Sequence, residues 1–179
     1  MTVWLRTAHT ADLAPAELDG VRSLLTDAFD GDLGEQDWEH ALGGMHVLAH
    51  DESGLAAHGS VVMRRVRHRQ RWLRVGYVEA VGVRRDVRRT GLGGRVMAEL
   101  ERIVDRAYDA GMLSASDEGA LLYRARGWRL WDGRILGLGP EGVVRLAEEE
   151  DCTFVRPALA GPLDPAHELV FDWRDGDVL

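Results

Sequence analysis

Tyr77-Val-Glu-Ala-Val-Gly-Val-Arg-Arg-Asp-Val-Arg-Arg-Thr-Gly-Leu-Gly-Gly-Arg-Val96 is the stretch around which the rest of the chain is organised. Its first seven residues are apolar apart from one carboxylate, Glu79, and read as a strand. A short basic loop follows, then glycines at 91, 93 and 94, then the spacing of an amphipathic helix. At such a strand–turn–helix junction bare backbone N–H groups converge and the helix dipole favours negative charge, a geometry that holds phosphate. The residues alone therefore predict a phosphate-bearing ligand at the turn, with a carboxylate close by. The blander alternatives are an outward-facing strand residue by alternation for Glu79 and a packing turn for the glycines.

Working outward, Val3–Ala8 alternates as a first strand. A helix capped by Thr10 or Asp12, with Pro15 in its first turns, carries Leu18, Val21, Leu24, Leu25 and Phe29 at helical spacing. Asp30-Gly-Asp-Leu-Gly34 breaks it, and Glu35–Leu42 gives a short second helix stopped by Gly43-Gly44. Met45–His50 and Leu55–Arg67 flank a turn at Asp51-Glu-Ser-Gly54, and Trp72–Val83 completes an antiparallel meander. Thr90–Ala110 is the central helix, ended by Gly111. Met112–Ala115 reads as a short buried strand, and Asp117–Arg126 as a helix capped by Ser116 or Asp117 and ended by Gly127. Trp128–Leu138, Thr153–Val155 and Leu169–Trp173 supply late strands. The order is β-α-α-β-β-β-α-β-α-β with a β tail, an α/β (α+β) class. No repeat or long linker divides residues 1–179, which read as a single domain.

The net charge of −8 argues against a nucleic-acid partner. Its distribution says more. Basic residues crowd between Arg64 and Arg95, whereas acidic residues crowd at 27–37, 148–151 and 172–177. Such a chain can hold an anion in one place and a cation in another. Every Lys+Arg position is arginine, which removes lysine Schiff-base chemistry. The single Cys152 cannot form an internal disulfide and reads as a small packing residue. The seven histidines lack metal-ligand spacing, so no metal is expected. No apolar run is long enough for a bilayer and the first residues lack a signal-peptide layout, so a cytoplasmic protein without a membrane partner is expected.

The element order, with a glycine turn after the fourth strand, resembles the Gcn5-related N-acetyltransferase (GNAT) superfamily. That superfamily's cofactor motif, Arg/Gln-x-x-Gly-x-Gly/Ala, corresponds to Arg88-Arg-Thr-Gly91-Leu-Gly93. A P-loop would need Gly-Lys-Ser/Thr, and a dinucleotide fingerprint a third Gly or Ala where Val96 stands. Residues 37–46 (Asp-Trp-Glu-His-Ala-Leu-Gly-Gly-Met-His), 76–81 (Gly-Tyr-Val-Glu-Ala-Val), 122–128 (Leu-Tyr-Arg-Ala-Arg-Gly-Trp) and 172–178 (Asp-Trp-Arg-Asp-Gly-Asp-Val) are similar, in that order, to the aminoglycoside 2′-N-acetyltransferases.

The resemblance implies a GNAT fold, with a mixed, mostly antiparallel central sheet flanked by helices. It implies acetyl transfer from acetyl-CoA to the 2′-amine of an aminoglycoside by direct attack in a ternary complex. Acetyl-CoA would lay its pyrophosphate on the N–H groups of Arg88, Arg89, Thr90, Gly91, Leu92 and Gly93. The side chains of Arg84, Arg85, Arg88 and Arg89 would attract it, and its pantetheine arm would run along Val81 and Val83. Glu79 would be the base, acting through a water, and Tyr123 the acid for the departing thiolate. The blander alternative for Tyr123 is a core tyrosine beside Leu121 and Leu122. Substrate contacts would come from Asp32, Asp37, Ser114, Glu149, Glu150, Asp177 and the carboxylate of Leu179. Leu179 departs from the tryptophan that ends familiar members, keeping the carboxylate and losing an aromatic wall. A homodimer is carried over from the family. Two alternatives stay open: the same chemistry on another amino sugar or polyamine, and a non-catalytic acetyl-CoA-binding module. The presence of both Glu79 and Tyr123 favours an enzyme.

Overall fold

A computed structural model of the chain describes residues 2–176 and 178–179, with Glu118 described by its backbone alone. The elements in chain order are β1 (Trp4–His9), α1 (Pro15–Ala28), α2 (Glu35–His40), β2 (Met45–Asp51), β3 (Gly54–His68), β4 (Arg71–Val83), α3 (Leu92–Ala107) and β5 (Ala110–Ser114). There follow α4 (Asp117–Ala125), β6 (Arg129–Leu130), β7 (Ile135–Gly139), β8 (Gly142–Arg145), β9 (Thr153–Pro157) and β10 (Leu169–Phe171). The expected α+β order is present, with β8 as an addition that the sequence did not announce. Two compact units are formed, Met1–Val62 with Val78–Arg102, and Met63–Tyr77 with Ile103–Leu179. No helix among the described residues is long and apolar enough to cross a membrane.

In the first unit β1 pairs antiparallel with β2, from Trp4↔His50 to His9↔Met45. The strand β2 pairs antiparallel with β3, from Met45↔Val61 to Asp51↔Gly54. Helix α1 starts later than the Thr10 or Asp12 cap expected from the sequence. The Thr10 hydroxyl is engaged elsewhere, accepting from the Gly43 N–H at 2.9 Å and lying 2.8 Å from His46 Nε2. Residues 10–12 instead form a separate 3-10 turn. Pro15 then opens α1 with its φ already set, and the Glu17 carboxylate accepts from the Ala14 N–H at 2.9 Å. Val21, Leu24 and Leu25 are its buried stripe, packed with Ala8, Leu13 and Leu48.

In the second unit the strands lie in the order β6-β9-β5-β4-β3-β10-β7-β8. The strand β5 runs parallel to β4 over Val75↔Ala110 to Tyr77↔Met112 and antiparallel to β9. The expected single strand over 128–138 is divided. Trp128 is buried, Arg129–Leu130 pair with β9, the Trp131 N–H is taken by Thr153 O at 2.8 Å, and the chain turns before Ile135 pairs with Leu169. Gly111 is not the stop of the central helix. That helix gives way at Tyr108 because Asp109 is captured by Arg74: the Asp109 N–H donates to Arg74 O, and the Arg74 N–H donates to the Asp109 carboxylate, both at 2.8 Å. Gly111 lies buried in β5, where a Cβ would stand 2.8 Å from Val104 and 3.0 Å from Trp128. Close approach of helix and strand, rather than a turn, requires glycine there.

The C-terminal segment is fastened by one buried cation. Arg64, only 4% exposed, donates from Nε to Asp172 Oδ1 at 2.6 Å and from its two terminal nitrogens to the carbonyls of Val178 and Asp172, both at 2.7 Å. Its guanidinium lies 5.5 Å from the ring centroids of both Tyr77 and Phe171. Arg64→Met keeps most of the apolar stem and removes all three hydrogen bonds, leaving the Val178 carbonyl to Arg174 alone. A loss of about 3 kcal/mol is expected. Urea unfolding measures it, and an unchanged midpoint would mean that the tail draws no stability from this contact.

Candidate active site

The first unit holds the strand–turn–helix stretch from Val78 to Val96. Val75 to Val78 are buried, whereas Glu79, Ala80 and Val81 are half-buried, so the period of two is interrupted at Ala80. The reason is Ala80 itself, which adopts φ +50 in the middle of β4. Side chains of β3 reach the carbonyls at this irregularity. Ser60 Oγ donates to Glu79 O at 3.4 Å, and His58 Nδ1 lies 2.9 Å from Ala80 O. Solvent-facing alternation therefore does not describe Glu79, which occupies a distorted, half-covered position.

Past β4 the loop reaches α3 through two left-handed residues, Arg89 at φ +60 and Gly91 at φ +89, on either side of exposed Thr90. Gly91 faces open space, and the Thr90 hydroxyl is turned back to Val87 O at 2.7 Å. Left-handed turns of this kind make concave sets of N–H groups ahead of a helix N-terminus. The backbone over Arg88–Gly93 thus fits an anionic group.

The arginine side chains divide differently from expectation. Arg84 is bound by the carboxylates of Asp86 and of buried Asp51, which raises its pKa and lowers theirs. Arg85 is paired with Asp30 and Asp27, and its pKa is raised chiefly by Asp30. Arg88 donates to Ala28 O at 2.8 Å and Val83 O at 3.2 Å. Arg84 and Arg85 thus brace the loop and have their charge matched locally. Of the acidic candidates in this unit, Asp32 is exposed beyond α1, and Asp37 caps α2 by accepting from the Gly34 N–H at 2.8 Å.

In the second unit Tyr123 stands on α4 with its ring against Trp128 and Phe154, 8% exposed. Burial pushes its phenol up to about 12, so it keeps its proton at neutral pH. Ser114 is one link in a chain. Its hydroxyl donates to Glu149 Oε2 at 3.0 Å and therefore accepts from the Tyr77 hydroxyl, 2.9 Å away. Cys152 Sγ donates to the same carboxylate oxygen at 3.2 Å. Burial and that carboxylate push the thiol up to about 12, so Cys152 is no nucleophile at neutral pH. Glu150 is clasped by Arg145 at 2.7 and 3.0 Å, which lowers its pKa and matches its charge. Leu179 is half-buried, next to a Val178 whose carbonyl accepts from Arg64 and Arg174. Asp177 lies outside the described residues. Among the described residues, no group of three or more His, Cys, Asp or Glu side chains is placed to hold a metal ion.

Sequence reasoning gave no role to Tyr77, Arg145 or the histidines of β2 and β3. A signal existed for the last: His46 adjoins the apolar run Val47-Leu-Ala49, His58 follows Leu55-Ala-Ala57, and both are fully buried. Their 2.9 Å contact follows from the β2–β3 register, which no local pattern encodes.

Comparison with known proteins bears on the fold and the family. The model of the Nodulation protein A (NodA) family matches residues 21–110, half of the chain. An aminoglycoside 2′-N-acetyltransferase of Mycolicibacterium fortuitum is 46% identical over 176 residues, covering 97% of this chain and 90% of the relative. Among solved structures, the GNAT family N-acetyltransferase YhbS of Escherichia coli, in complex with CoA, superposes with a TM-score of 0.66 at 18% identity, covering 94% of this chain and 89% of that one. Escherichia coli ElaA gives a TM-score of 0.61 at 16% identity, covering 87% of this chain and 99% of that one. The fold is that of the GNAT acetyltransferases, and the chain matches the NodA family model and belongs to the aminoglycoside 2′-N-acetyltransferase family.

Proposed function

We propose that the protein transfers an acetyl group from acetyl-CoA to the 2′-amine of an aminoglycoside, by direct attack in a ternary complex, and so confers resistance to such drugs. The observation that carries this reading is the near-full-length likeness to an aminoglycoside 2′-N-acetyltransferase. The local chemistry supports it: a carboxylate on a distorted strand stands ten residues before an open, left-handed turn that leads into α3.

The thioester supplies the acetyl group, and the chain supplies everything else. The N–H groups of Arg88, Arg89, Thr90, Gly91, Leu92 and Gly93 hold the pyrophosphate, aided by the α3 dipole. The backbone at Val81 and Val83 pairs with the amides of the pantetheine arm, and the Val81 N–H polarises the thioester carbonyl. Glu79 takes the proton of the attacking amine through a bridging water. As the new C–N bond forms and the C–S bond breaks, Tyr123 gives its proton to the departing thiolate. Asp32, Asp37, Ser114, Glu149, Glu150, Asp177 and the terminal carboxylate of Leu179 are the groups that attract the polycation in this reading. Arg145 already matches the charge of Glu150, so Glu149 carries more of that attraction. The chain works as one catalytic domain, in the cytoplasm, and pairs as a homodimer.

A thiol-release assay with acetyl-CoA and an aminoglycoside panel tests the reading. Drugs with a 2′-amine should release CoA and 2′-hydroxyl analogues should not; silence across the panel refutes the substrate. Tyr123→Phe is expected to lower kcat about 10²-fold with little change in KM. Equal loss in kcat/KM and in thermal stability would instead mark Tyr123 as a packing residue.

A further inference from the structure

The buried histidines of β2 and β3 form a hydrogen-bonded line whose direction is fixed from one end. The carbonyl of Ala80 can only accept, so His58 Nδ1, 2.9 Å away, carries a proton. In the neutral ring His58 Nε2 is then an acceptor, and His46 Nδ1, 2.9 Å from it, must be the donor. His46 Nε2 accepts in turn from the Thr10 hydroxyl at 2.8 Å, and Thr10 Oγ accepts from the Gly43 N–H at 2.9 Å. Both rings are fully buried, and burial pushes their pKa values down to about 4 for His46 and about 3 for His58, so both are neutral. The Thr10 hydroxyl also lies 3.2 Å from Gly44 O, a longer contact than the one to His46, and the line ends on the carbonyl of Ala80, the left-handed residue.

That carbonyl shares a peptide plane with the Val81 N–H. This peptide bond is trans, as are all those among the described residues, so the two point in opposite directions. Holding the oxygen toward His58 therefore directs the Val81 N–H away from β3. We infer that His58 is a positioning residue for acetyl transfer, fixing the Ala80–Val81 peptide so that the Val81 N–H is aimed at the thioester carbonyl. This rests on the role given above to Val81. His46 and Thr10 hold the His58 tautomer. An alanine in a left-handed strand position has no intrinsic preference for that orientation, which is why a buried side chain has to supply it.

Three replacements separate positioning from packing. His58→Asn retains an N–H near the Nδ1 position, His58→Gln presents its amide near Nε2, and His58→Leu offers neither. Relative to wild type, His58→Leu and His58→Gln should lose about 10- to 100-fold in kcat while KM for acetyl-CoA stays within about threefold, and His58→Asn should recover to within about fivefold. Vibrational spectra of enzyme-bound acetyl-CoA labelled with ¹³C at the thioester carbonyl give a readout without any acceptor. The carbonyl band should be lowered in wild type and His58→Asn and return toward its free position in His58→Leu. ¹⁵N NMR should show His58 protonated at Nδ1. A wild-type ring protonated at Nε2, an unshifted carbonyl band, or an Asn variant as slow as the Leu variant would each overturn the inference. If His58→Leu fails to fold, the Asn–Gln pair decides alone. If no aminoglycoside is turned over, the substrate assignment fails while the band comparison still reads the role of His58.

Discussion

Glu79→Gln is expected to slow acetyl transfer about 10²- to 10³-fold, because removing a positioned general base typically costs that much. The replacement is nearly isosteric, so the half-buried site keeps its shape and only proton acceptance is lost. Binding of CoA should be unchanged, since the loop at Arg88–Gly93 is untouched. The pH profile carries the sharper information. In wild type, kcat/KM should rise with pH through two events, ionisation of Glu79 and deprotonation of the amine. In the variant the lower event should vanish, leaving the titration of the amine. A rate unchanged across pH would remove Glu79 from the chemistry even with the activity intact.

How far the sequence reached depends on whether a property is local. The strand, turn and helix at 77–96 are local, and they form in the expected order, with β4 ending at Val83 as expected and α3 starting at Leu92 rather than Thr90. Cap choice already escapes. Thr10 is a good N-cap by type, but its hydroxyl is committed to Gly43 and His46, which lie more than thirty residues away. Charge is still less legible. The run Arg84-Arg85 looks like an anion-attracting pair, yet Asp51, Asp86, Asp27 and Asp30 match it. Glu149 and Glu150 are adjacent and identical in type, yet one joins Ser114 and Cys152 and the other is clasped by Arg145. Those differences come from strand register and long-range pairing. A sequence can offer a carboxylate, but the fold decides whether its charge is already taken.

The histidine line makes acid stability a second large effect. Both groups have folded-state pKa values lowered from 6.5, to about 4 for His46 and about 3 for His58. Below 6.5 the unfolded chain binds protons at these residues while the folded chain does not, so stability is fully present above that pH and falls as the solution is acidified. Between pH 7 and 5 each histidine should remove about 2 kcal/mol, or about 4 together, a large part of the 5–15 kcal/mol typical of a folded domain. The shifted carboxylates cannot account for a loss in this window. Those of Glu17, Asp51, Asp86, Glu150 and Asp164 are lowered from ordinary values of 4.5 or 3.8, so their contribution fades only at more acid pH. Urea unfolding at pH 7 and pH 5 measures the effect. Replacing His58 by Asn removes one of the two titrating rings and should roughly halve the pH dependence, whatever it does to stability at pH 7. A wild-type stability that is flat from pH 7 to 5 would mean that both rings take up protons inside the fold, and the direction assigned to the whole line, from Gly43 to Ala80, would fall with it.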